Sequence, residues 1–289
     1  MTSKIAFVGG DIRMPEAAKF AAKKFDNIVI YGFDSFKYCY DCFGIKQENN
    51  LTSALDGADV TVFGLPYSAD GKNIFAPYSE KNIPIDDVIS HLNYGTKIFG
   101  GMLNSYIEEK AAKKNIKCFD YFKREELTLK NALITAEGAL AVAMNETSHT
   151  IHSSRCLVIG YGRIGKMLSG MLHKLNAKVS ASARKESDLA LIECSGIKTV
   201  KTNEIGKSIA DYDIIFNTVP VCLLTKDILN NVRDDTLIID LASKPGGVDF
   251  ESARYLGKKI IWATSLPGKV APETSGKIIS DTVYNILNE

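Results

Sequence analysis

The chain has 289 residues, which is enough for about two domains at roughly 100–200 residues each. Hydrophobic residues make up 45% of it and charged residues 24%, and the 35 basic residues nearly balance the 34 acidic ones. A net charge of +1 gives no global attraction to nucleic acid or to an anionic membrane. No run of about 18 apolar residues occurs, so we expect no membrane span and a cytoplasmic location.

Six cysteines are scattered along the chain, which predicts reduced thiols in a reducing compartment. Cys39 and Cys42 have CxxC spacing, but neither a second pair nor nearby histidines follow, as a zinc site would require. We therefore expect two half-buried thiols here and no metal site.

Short β-rich runs alternate with helical stretches from end to end, which is typical of parallel α/β architecture. Residues 1–134 are predicted to form a doubly wound, flavodoxin-like substrate domain whose first helix covers residues 14–25. Its predicted strands cover residues 4–9, 27–31, 58–63, 96–99 and 116–119.

A long helix over residues 135–152, with Thr135 as its N-cap, is predicted to connect this domain to a second one. The helix interior is apolar nearly all round, as expected of a helix buried between two bodies. The second domain, residues 153–268, repeats the α/β pattern, and we expect the C-terminal helix of residues 269–289 to return to the first domain. The predicted fold is therefore α/β, with two doubly wound parallel-sheet, Rossmann-like domains joined by a long helix.

The second domain opens with an apolar strand that runs into a GxGxxG motif and then a helix, residues 155–175. Gly160 allows a tight turn, Gly162 lets the backbone approach a pyrophosphate, and Gly165 lets helix and strand pack closely. The helix start also favours an anion. The alternative is a glycine-rich turn without a ligand, but the order of strand, turn and helix favours dinucleotide binding. The residues assigned to the cofactor here are Gly160, Tyr161, Gly162, Arg163, Ile164 and Gly165.

The end of the second strand of this domain indicates NADP. NAD enzymes usually place Asp or Glu there to bind the ribose 2′-hydroxyl, whereas this chain has no carboxylate before Glu186. Arg184 can bind a 2′-phosphate through its guanidinium, and Ser182 and Lys185 can add a hydrogen bond and a charge. The alternative is that Arg184 and Lys185 only cap a strand in solvent.

Thr218, Val219 and Pro220 follow the fourth predicted strand of this domain, residues 214–217. The carboxyl end of such a strand lies beside the ligand crevice, so we expect these residues to meet the nicotinamide ribose. The alternative is an ordinary strand-ending turn.

Two Rossmann-like domains joined by a helix resemble the D-2-hydroxyacid dehydrogenases, which use a histidine for proton transfer and an arginine for the substrate carboxylate. The histidines are His91, His149, His152 and His173, and none follows in the loops where that family places its own. Lys244 stands where the arginine is expected. The hydroxyacid machinery is therefore missing, which favours a different reaction.

Nearly the whole chain resembles a narrower family, the dipicolinate synthase A subunits of spore-forming bacteria. Residues 240–250 are the most specific part of this resemblance. The chain departs from the family at Lys244, where arginine is expected, and at Lys185, where a small residue is usual, and residues 35–50 show no match. The matching stretches are residues 9–13, 65–66, 70–71, 135–139, 160–165, 183–184, 217–220, 240–250 and 266–274.

This resemblance implies an NADP-dependent oxidation of dihydrodipicolinate to dipicolinate during sporulation, in the mother-cell cytoplasm. It also implies a flavoprotein-like dipicolinate synthase B subunit as partner, and we further expect a homo-oligomer. Aromatisation of the ring supplies driving force, so the enzyme needs positioning more than a strong acid or base. Two alternatives stay open: an NAD(P)-dependent 2-hydroxyacid-dehydrogenase-like oxidoreductase acting on a 2-oxo acid, and a cofactor-binding, non-catalytic subunit.

A small dicarboxylate substrate requires cationic groups. Arg13, with Asp11 beside it, follows the first strand and can bind a carboxylate through two N–H groups, although a surface pair with Glu16 is the alternative. Lys244 is a second substrate-binding candidate, and its alternative is a solvent-facing turn lysine. The proton acceptor stays unassigned, with Glu137 and Lys244 as candidates; for Glu137 a helix-capping role is favoured.

Overall fold

The computed structural model describes residues 3–289. The chain divides into two compact units: the part up to Asn131 together with Ala271–Glu289, and Ala132–Val270. Each unit contains one six-stranded sheet in which all paired strands are parallel. The predicted α/β fold with two doubly wound parallel sheets is thereby confirmed.

The sheet of the first unit has one strand more than the sequence predicted. Its strands are β1 (Lys4–Val8), β2 (Asn27–Tyr31), β3 (Ile45–Gln47), β4 (Val60–Phe63), β5 (Lys97–Gly100) and β6 (Lys117–Asp120). They lie in the order β3-β2-β1-β4-β5-β6. The five strands expected from sequence alone would follow the flavodoxin-like order, and the short edge strand β3 extends it to the order of dinucleotide-binding folds. This edge strand has one buried residue, Ile45, and so leaves no apolar run in the sequence.

Helices follow the strands of this unit, and the loop after β1 leads directly into the first of them. That helix starts at Arg13, one residue before the predicted start, so that Arg13 belongs to its first turn. The helices are α1 (Arg13–Ala21), α2 (Leu51–Leu55), α3 (Ile85–His91) and α4 (Ser105–Ala112).

The connecting helix, α5 (Glu125–Glu146), begins and ends earlier than predicted. A short helical turn at Tyr121–Lys123 is capped by the Asp120 side chain and leads into α5, whose acidic first turn suits the helix dipole. The predicted N-cap at Thr135 is therefore wrong, and Glu137 lies exposed in the helix interior, where it cannot cap.

By length and composition α5 is also the one helix among residues 3–289 that could cross a membrane, and 44% of its apolar window is buried. Ala136, Ala139 and Ala143 belong to the core of the second unit. A core helix has the same composition, and this packing accounts for the apolar sequence of α5.

The sheet of the second unit repeats the strand order of the first. Its strands are β7 (Arg155–Ile159), β8 (Lys178–Ala183), β9 (Lys198–Lys201), β10 (Ile214–Asn217), β11 (Leu237–Asp240) and β12 (Lys259–Trp262). They lie in the order β12-β11-β10-β7-β8-β9. The order reverses between β7 and β10, where Ile159 lies beside Asn217 at the carboxyl ends. In doubly wound sheets this switch point is where ligands bind.

Helices again connect the strands of the second unit. Like the sheet, they follow the α/β alternation that the sequence predicts. The helices are α6 (Arg163–Lys174), α7 (Glu186–Cys194), α8 (Lys226–Leu229), α9 (Phe250–Tyr255) and α10 (Leu266–Val270).

The last helix, α11 (Pro272–Leu287), packs on α1 within the first unit. Ile279 and Val283 enter the core there, and Lys24 binds Asp281 at the surface. The apolar side chains of α11 therefore complete the core of the first unit, although this helix lies far along the chain from the rest of the unit.

Cys39 and Cys42 form a disulfide, and both residues are exposed. The expectation of two half-buried thiols is therefore wrong. A short helical turn at Asp41–Phe43 brings the two Cα atoms to 5.5 Å, which the CxxC spacing alone did not predict. Cys118, Cys156, Cys194 and Cys222 are free.

Candidate functional site

The glycine loop after β7 is fixed by packing at two of its glycines. Gly160 has a φ of +94°, and its N–H donates to the backbone oxygen of Ser182 at 3.1 Å. A Cβ added at Gly165 would lie 2.1 Å from the carbonyl oxygen of Gly160, a distance that no side chain could tolerate. The loop and the start of α6 therefore pack backbone against backbone.

Gly162 differs, because a Cβ placed there would have no neighbour within 4 Å. It is the N-cap of α6, and it offers no side chain to cap the helix. The first N–H groups of a helix have no intrahelical acceptor, and the helix dipole adds positive potential at this end. The open space beside Gly162, at this end of the helix, lets a pyrophosphate approach the backbone.

A cavity of about 530 Å³ lies beside this loop, and its size is in the range of small-molecule sites. It brings together eight of the residues that the sequence assigned to the cofactor. These are Gly160, Tyr161, Gly162, Arg184, Lys185, Thr218, Val219 and Pro220. The remaining lining residues are Ala183, Asp188, Thr202, Val221 and Leu223.

Four residues of the cofactor prediction do not line this cavity: Arg163, Ile164, Gly165 and Ser182. Ser182 is fully buried, and its hydroxyl accepts a 3.3 Å hydrogen bond from the Gly160 N–H. Ser182 therefore holds the glycine loop through this hydrogen bond. The expectation that Ser182 contacts a ligand phosphate is corrected. Gly165 acts through close packing, as described above.

The charged end of the cavity carries Arg184 and Lys185, which are both exposed. Neither side chain has an ion-pair partner among residues 3–289, so both cations are available to an anion. Asp188 also lines the cavity, which the sequence did not predict. Asp188 lies in the first turn of α7, so its place beside Arg184 and Lys185 at the end of β8 depends on where that helix starts.

The loop after β11 is ordered by Asp240, which is fully buried. Its carboxylate accepts hydrogen bonds from the N–H groups of Ala242 at 3.0 Å and Gly247 at 2.8 Å. Lys244 lies in this loop with its side chain exposed, and it has no hydrogen-bond or ion-pair partner within the described part of the chain. Its charge is therefore free for a ligand.

Arg13, the predicted substrate group of the first unit, is 6% exposed. Its Nε and Nη2 donate to the two oxygens of Asp11, each at 2.8 Å, and Nη2 also donates to the carbonyl oxygen of Leu65. The alternative surface pair with Glu16 does not occur, because Glu16 binds Lys19 instead. Only Nη1 of Arg13 has no partner among residues 3–289, so the predicted grip on a carboxylate through two parallel N–H groups is corrected to the N–H groups of this one nitrogen.

No cavity-lining residue is a histidine. Within residues 3–289, no group of three or more His, Cys, Asp or Glu side chains is arranged to hold a metal ion. What the site offers is backbone N–H groups, two cations and buried amide and carboxylate groups that order its loops.

Two family profiles match the chain. Residues 4–122 match the N-terminal domain of the dipicolinate synthase A subunit. Residues 125–240 match the NAD binding domain of D-isomer specific 2-hydroxyacid dehydrogenases. The second match covers the glycine loop and every lining residue of the cavity, so this unit binds a nicotinamide dinucleotide.

Full-length relatives agree with these profiles. The dipicolinate synthase A subunit of Bacillus subtilis (strain 168) is 32% identical over 99% of this chain and 96% of its own. The crystal structure of the Bacillus halodurans protein has a TM-score of 0.88 at 28% identity, covering 100% of this chain and 99% of the other. That of the Bacillus subtilis protein has a TM-score of 0.86 at 30% identity, covering 100% and 96%. The chain therefore belongs to the dipicolinate synthase A subunit family and is an oxidoreductase with a nicotinamide-dinucleotide-binding domain.

Proposed function

We propose that this protein oxidises dihydrodipicolinate to dipicolinate with NADP as hydride acceptor. The observation that carries the proposal is the cavity beside Gly160–Gly165, whose far end presents Arg184 and Lys185 without ion-pair partners among the described residues. Bound NADP would accept a hydride from the ring of the substrate, and a proton would leave to a base or to water. The name of the Bacillus subtilis relative, a dipicolinate synthase, supports the product.

The choice of NADP depends on the charges at the end of β8. A 2′-phosphate carries negative charge that Arg184 can bind through two N–H groups, while Lys185 adds a point charge. Asp188 opposes this preference, because its carboxylate would repel the phosphate and could instead accept a hydrogen bond from a ribose hydroxyl. We propose that the two cations outweigh the one carboxylate.

Replacing Arg184 with alanine is expected to weaken NADP binding by about 10- to 100-fold, the range of a hydrogen bond to a charged group, and to leave NAD binding within about threefold. Titration of the protein with NADPH and with NADH, followed by nucleotide fluorescence, measures both affinities. Lys178→Ala is the matched control, because it removes one positive charge from the other end of the same strand. Equal losses in the two variants would show only a nonspecific charge effect and remove Arg184 from the phosphate site.

Replacing Asp188 with asparagine is expected to change NADP affinity in the direction opposite to Arg184→Ala. Removal of a partly exposed like charge should strengthen NADP binding by about two- to fivefold, while NAD binding should stay the same or weaken. The same titrations measure the ratio of the two affinities. Glu186→Gln, a neighbouring change of equal charge in a residue that does not line the cavity, is the control. A lower NADP affinity in the Asp188 variant would contradict the proposed arrangement.

For the substrate, we propose Arg13 of the first unit and, separately, Lys244 of the second unit as groups that can bind a carboxylate. Asp11 then holds the Arg13 guanidinium in place through its two charge-assisted hydrogen bonds. The aromatic product supplies much of the driving force, so these cations need only orient the ring. The exposed Glu137 remains a candidate for the group that takes up the proton. Lys244 can fill that role only as a neutral amine, so for this residue proton uptake and carboxylate binding are alternatives.

We further propose that the protein acts in the mother-cell cytoplasm during sporulation, as a homo-oligomer with a flavoprotein-like B subunit of dipicolinate synthase. The Bacillus subtilis relative is named as one subunit of its synthase, which supports a partner chain. Size measurements on this chain alone and after mixing with the candidate partner would test both expectations.

The proposed reaction is tested by mixing the purified chain, with and without the candidate partner, with NADP and freshly made dihydrodipicolinate. We expect NADPH and the pyridine product to appear together, in equal amounts, as followed by their absorbances. Turnover that requires the partner would indicate a shared site. Turnover of 2-oxo acids with NADPH, and none of dihydrodipicolinate, would instead support the hydroxyacid-dehydrogenase alternative. Nucleotide binding without turnover of either substrate would support a non-catalytic subunit.

A further inference from the structure

Two fully buried polar side chains meet at the carboxyl ends of neighbouring strands in the second unit. Asn217 ends β10 and Asp240 ends β11, and the two residues are paired in the sheet register. The Nδ2 of Asn217 donates to Oδ1 of Asp240 at 2.8 Å. No ion pair to Asp240 occurs among residues 3–289, so its charge is compensated by N–H donors alone. A buried carboxylate without a cation is costly, which makes its place in the molecule informative.

The carboxylate holds both ends of one loop. Oδ1 of Asp240 accepts from the N–H of Ala242, and Oδ2 accepts from the N–H of Gly247. The indole N–H of Trp262 fixes the same loop from the next strand by donating to the carbonyl oxygen of Ala242. Lys244 therefore lies in a short loop that is pinned before and after it.

Asn217 holds the wall of the cofactor cavity. Its Nδ2 also donates to the carbonyl oxygen of Val219 at 2.9 Å, and its Oδ1 accepts from the Val219 N–H at 3.2 Å. Val219 lines the cavity. A Cβ added at Gly247 would lie 2.0 Å from Nδ2 of Asn217 and 2.5 Å from the Val219 carbonyl oxygen, so loop and cavity wall are in direct contact.

We propose that Asn217 and Asp240 are a positioning pair that ties the Lys244 loop to the cofactor cavity. The pair touches neither cofactor nor substrate and acts through Val219 on one side and through Ala242 and Gly247 on the other. Binding of the nucleotide against Val219 then also orders the loop that carries Lys244. This inference rests on the proposed function, because it assigns the nucleotide to this cavity and a substrate carboxylate to Lys244.

Asp240→Asn tests the pair with little change of shape. An asparagine has one acceptor oxygen, whereas three N–H donors converge on the two oxygens of Asp240, so at least one of them would face an amide N–H₂ group. The matched control is Asp249→Asn. Asp249 caps α9 just beyond the same loop by accepting from the Ser252 N–H, and asparagine is an equally good N-cap.

The first readout is amide hydrogen exchange without substrate. In the parent protein and in Asp249→Asn, NADPH should slow exchange at residues 241–247. In Asp240→Asn the protection of the Gly247 amide should be lost, while NADPH affinity should change by no more than about threefold because the glycine loop is intact. Asn217→Ala provides a second variant if Asp240→Asn does not fold, and it should show the same loss of nucleotide-dependent protection. Unchanged protection in a folded variant would overturn the proposal.

The second readout is a double-mutant cycle for kcat/KM. Asp240→Asn and Lys244→Ala should each lower kcat/KM by about 10- to 100-fold. The kcat/KM of the double variant should be no more than about threefold below that of the less active single variant. Additive losses would mean that Asp240 does not act through Lys244, which would overturn the pair's role. If the parent protein does not oxidise dihydrodipicolinate at all, the proposed function fails, and the exchange experiment still decides whether the pair couples loop and cavity.

Discussion

Replacement of Arg13 with alanine is expected to lower kcat/KM for dihydrodipicolinate by about 2–4 kcal/mol in transition-state terms, or roughly 30- to 1,000-fold. Arg13 is 6% exposed and its guanidinium is already held by Asp11, so the group loses little freedom when it binds a carboxylate. Steady-state rates at several substrate concentrations measure the effect. Arg13→Lys should recover part of it, because lysine keeps the charge but cannot make both hydrogen bonds to Asp11 that hold the guanidinium in place.

The control for Arg13 must separate binding from folding, since its removal leaves Asp11 without its ion-pair partner. NADPH affinity should stay within about threefold, because the nucleotide cavity is built from residues of the other unit. Lys23→Ala removes a positive charge from the exposed chain just after α1 and should leave kcat/KM unchanged. An Arg13→Ala variant with full kcat/KM would exclude Arg13 from the substrate site.

Replacement of Gly165 with alanine is expected to weaken nucleotide binding by about 100-fold or more and to lower the free energy of unfolding by about 1–3 kcal/mol. The added Cβ would lie 2.1 Å from the Gly160 carbonyl oxygen, so the glycine loop and the start of α6 must move apart. NADPH titration measures the first effect and urea unfolding the second.

Gly170→Ala is the matched control for this change, because it adds the same methyl group to the same helix where nothing lies within 4 Å. It should stabilise the protein by about 0.5–1 kcal/mol, as alanine does in a helix interior, and leave nucleotide binding unchanged. If Gly165→Ala bound NADPH like the parent protein, the close packing at this glycine would not be needed for the cofactor site.

Much of the fold followed from local patterns in the sequence. The strands that carry most of both sheets are buried apolar runs, and the start of α11 is marked by Pro272. The edge strand β3 and the true start of α5 were not predictable in this way. β3 buries one side chain, and α5 begins with polar residues whose helical state depends on the turn capped by Asp120.

The same distinction between local patterns and distant contacts applies to the residues of the site. The glycine loop and the cations after β8 are contiguous in sequence and carry a known geometry, so they could be predicted as a set. The place of Asp188 depends on where α7 starts, and the burial of Ser182 depends on the loop that covers it. The Asn217–Asp240 hydrogen bond joins residues from two strands, and a single sequence gives no signal of such a contact.

Both sheets have the same strand order, so the loop after β1 and the loop after β7 occupy the same topological position in their units. In the second unit this position presents backbone N–H groups, and in the first unit it presents the guanidinium of Arg13. Backbone N–H groups do not titrate. If the glycine loop binds a pyrophosphate as proposed, its backbone N–H donors add no pH dependence of their own to nucleotide binding.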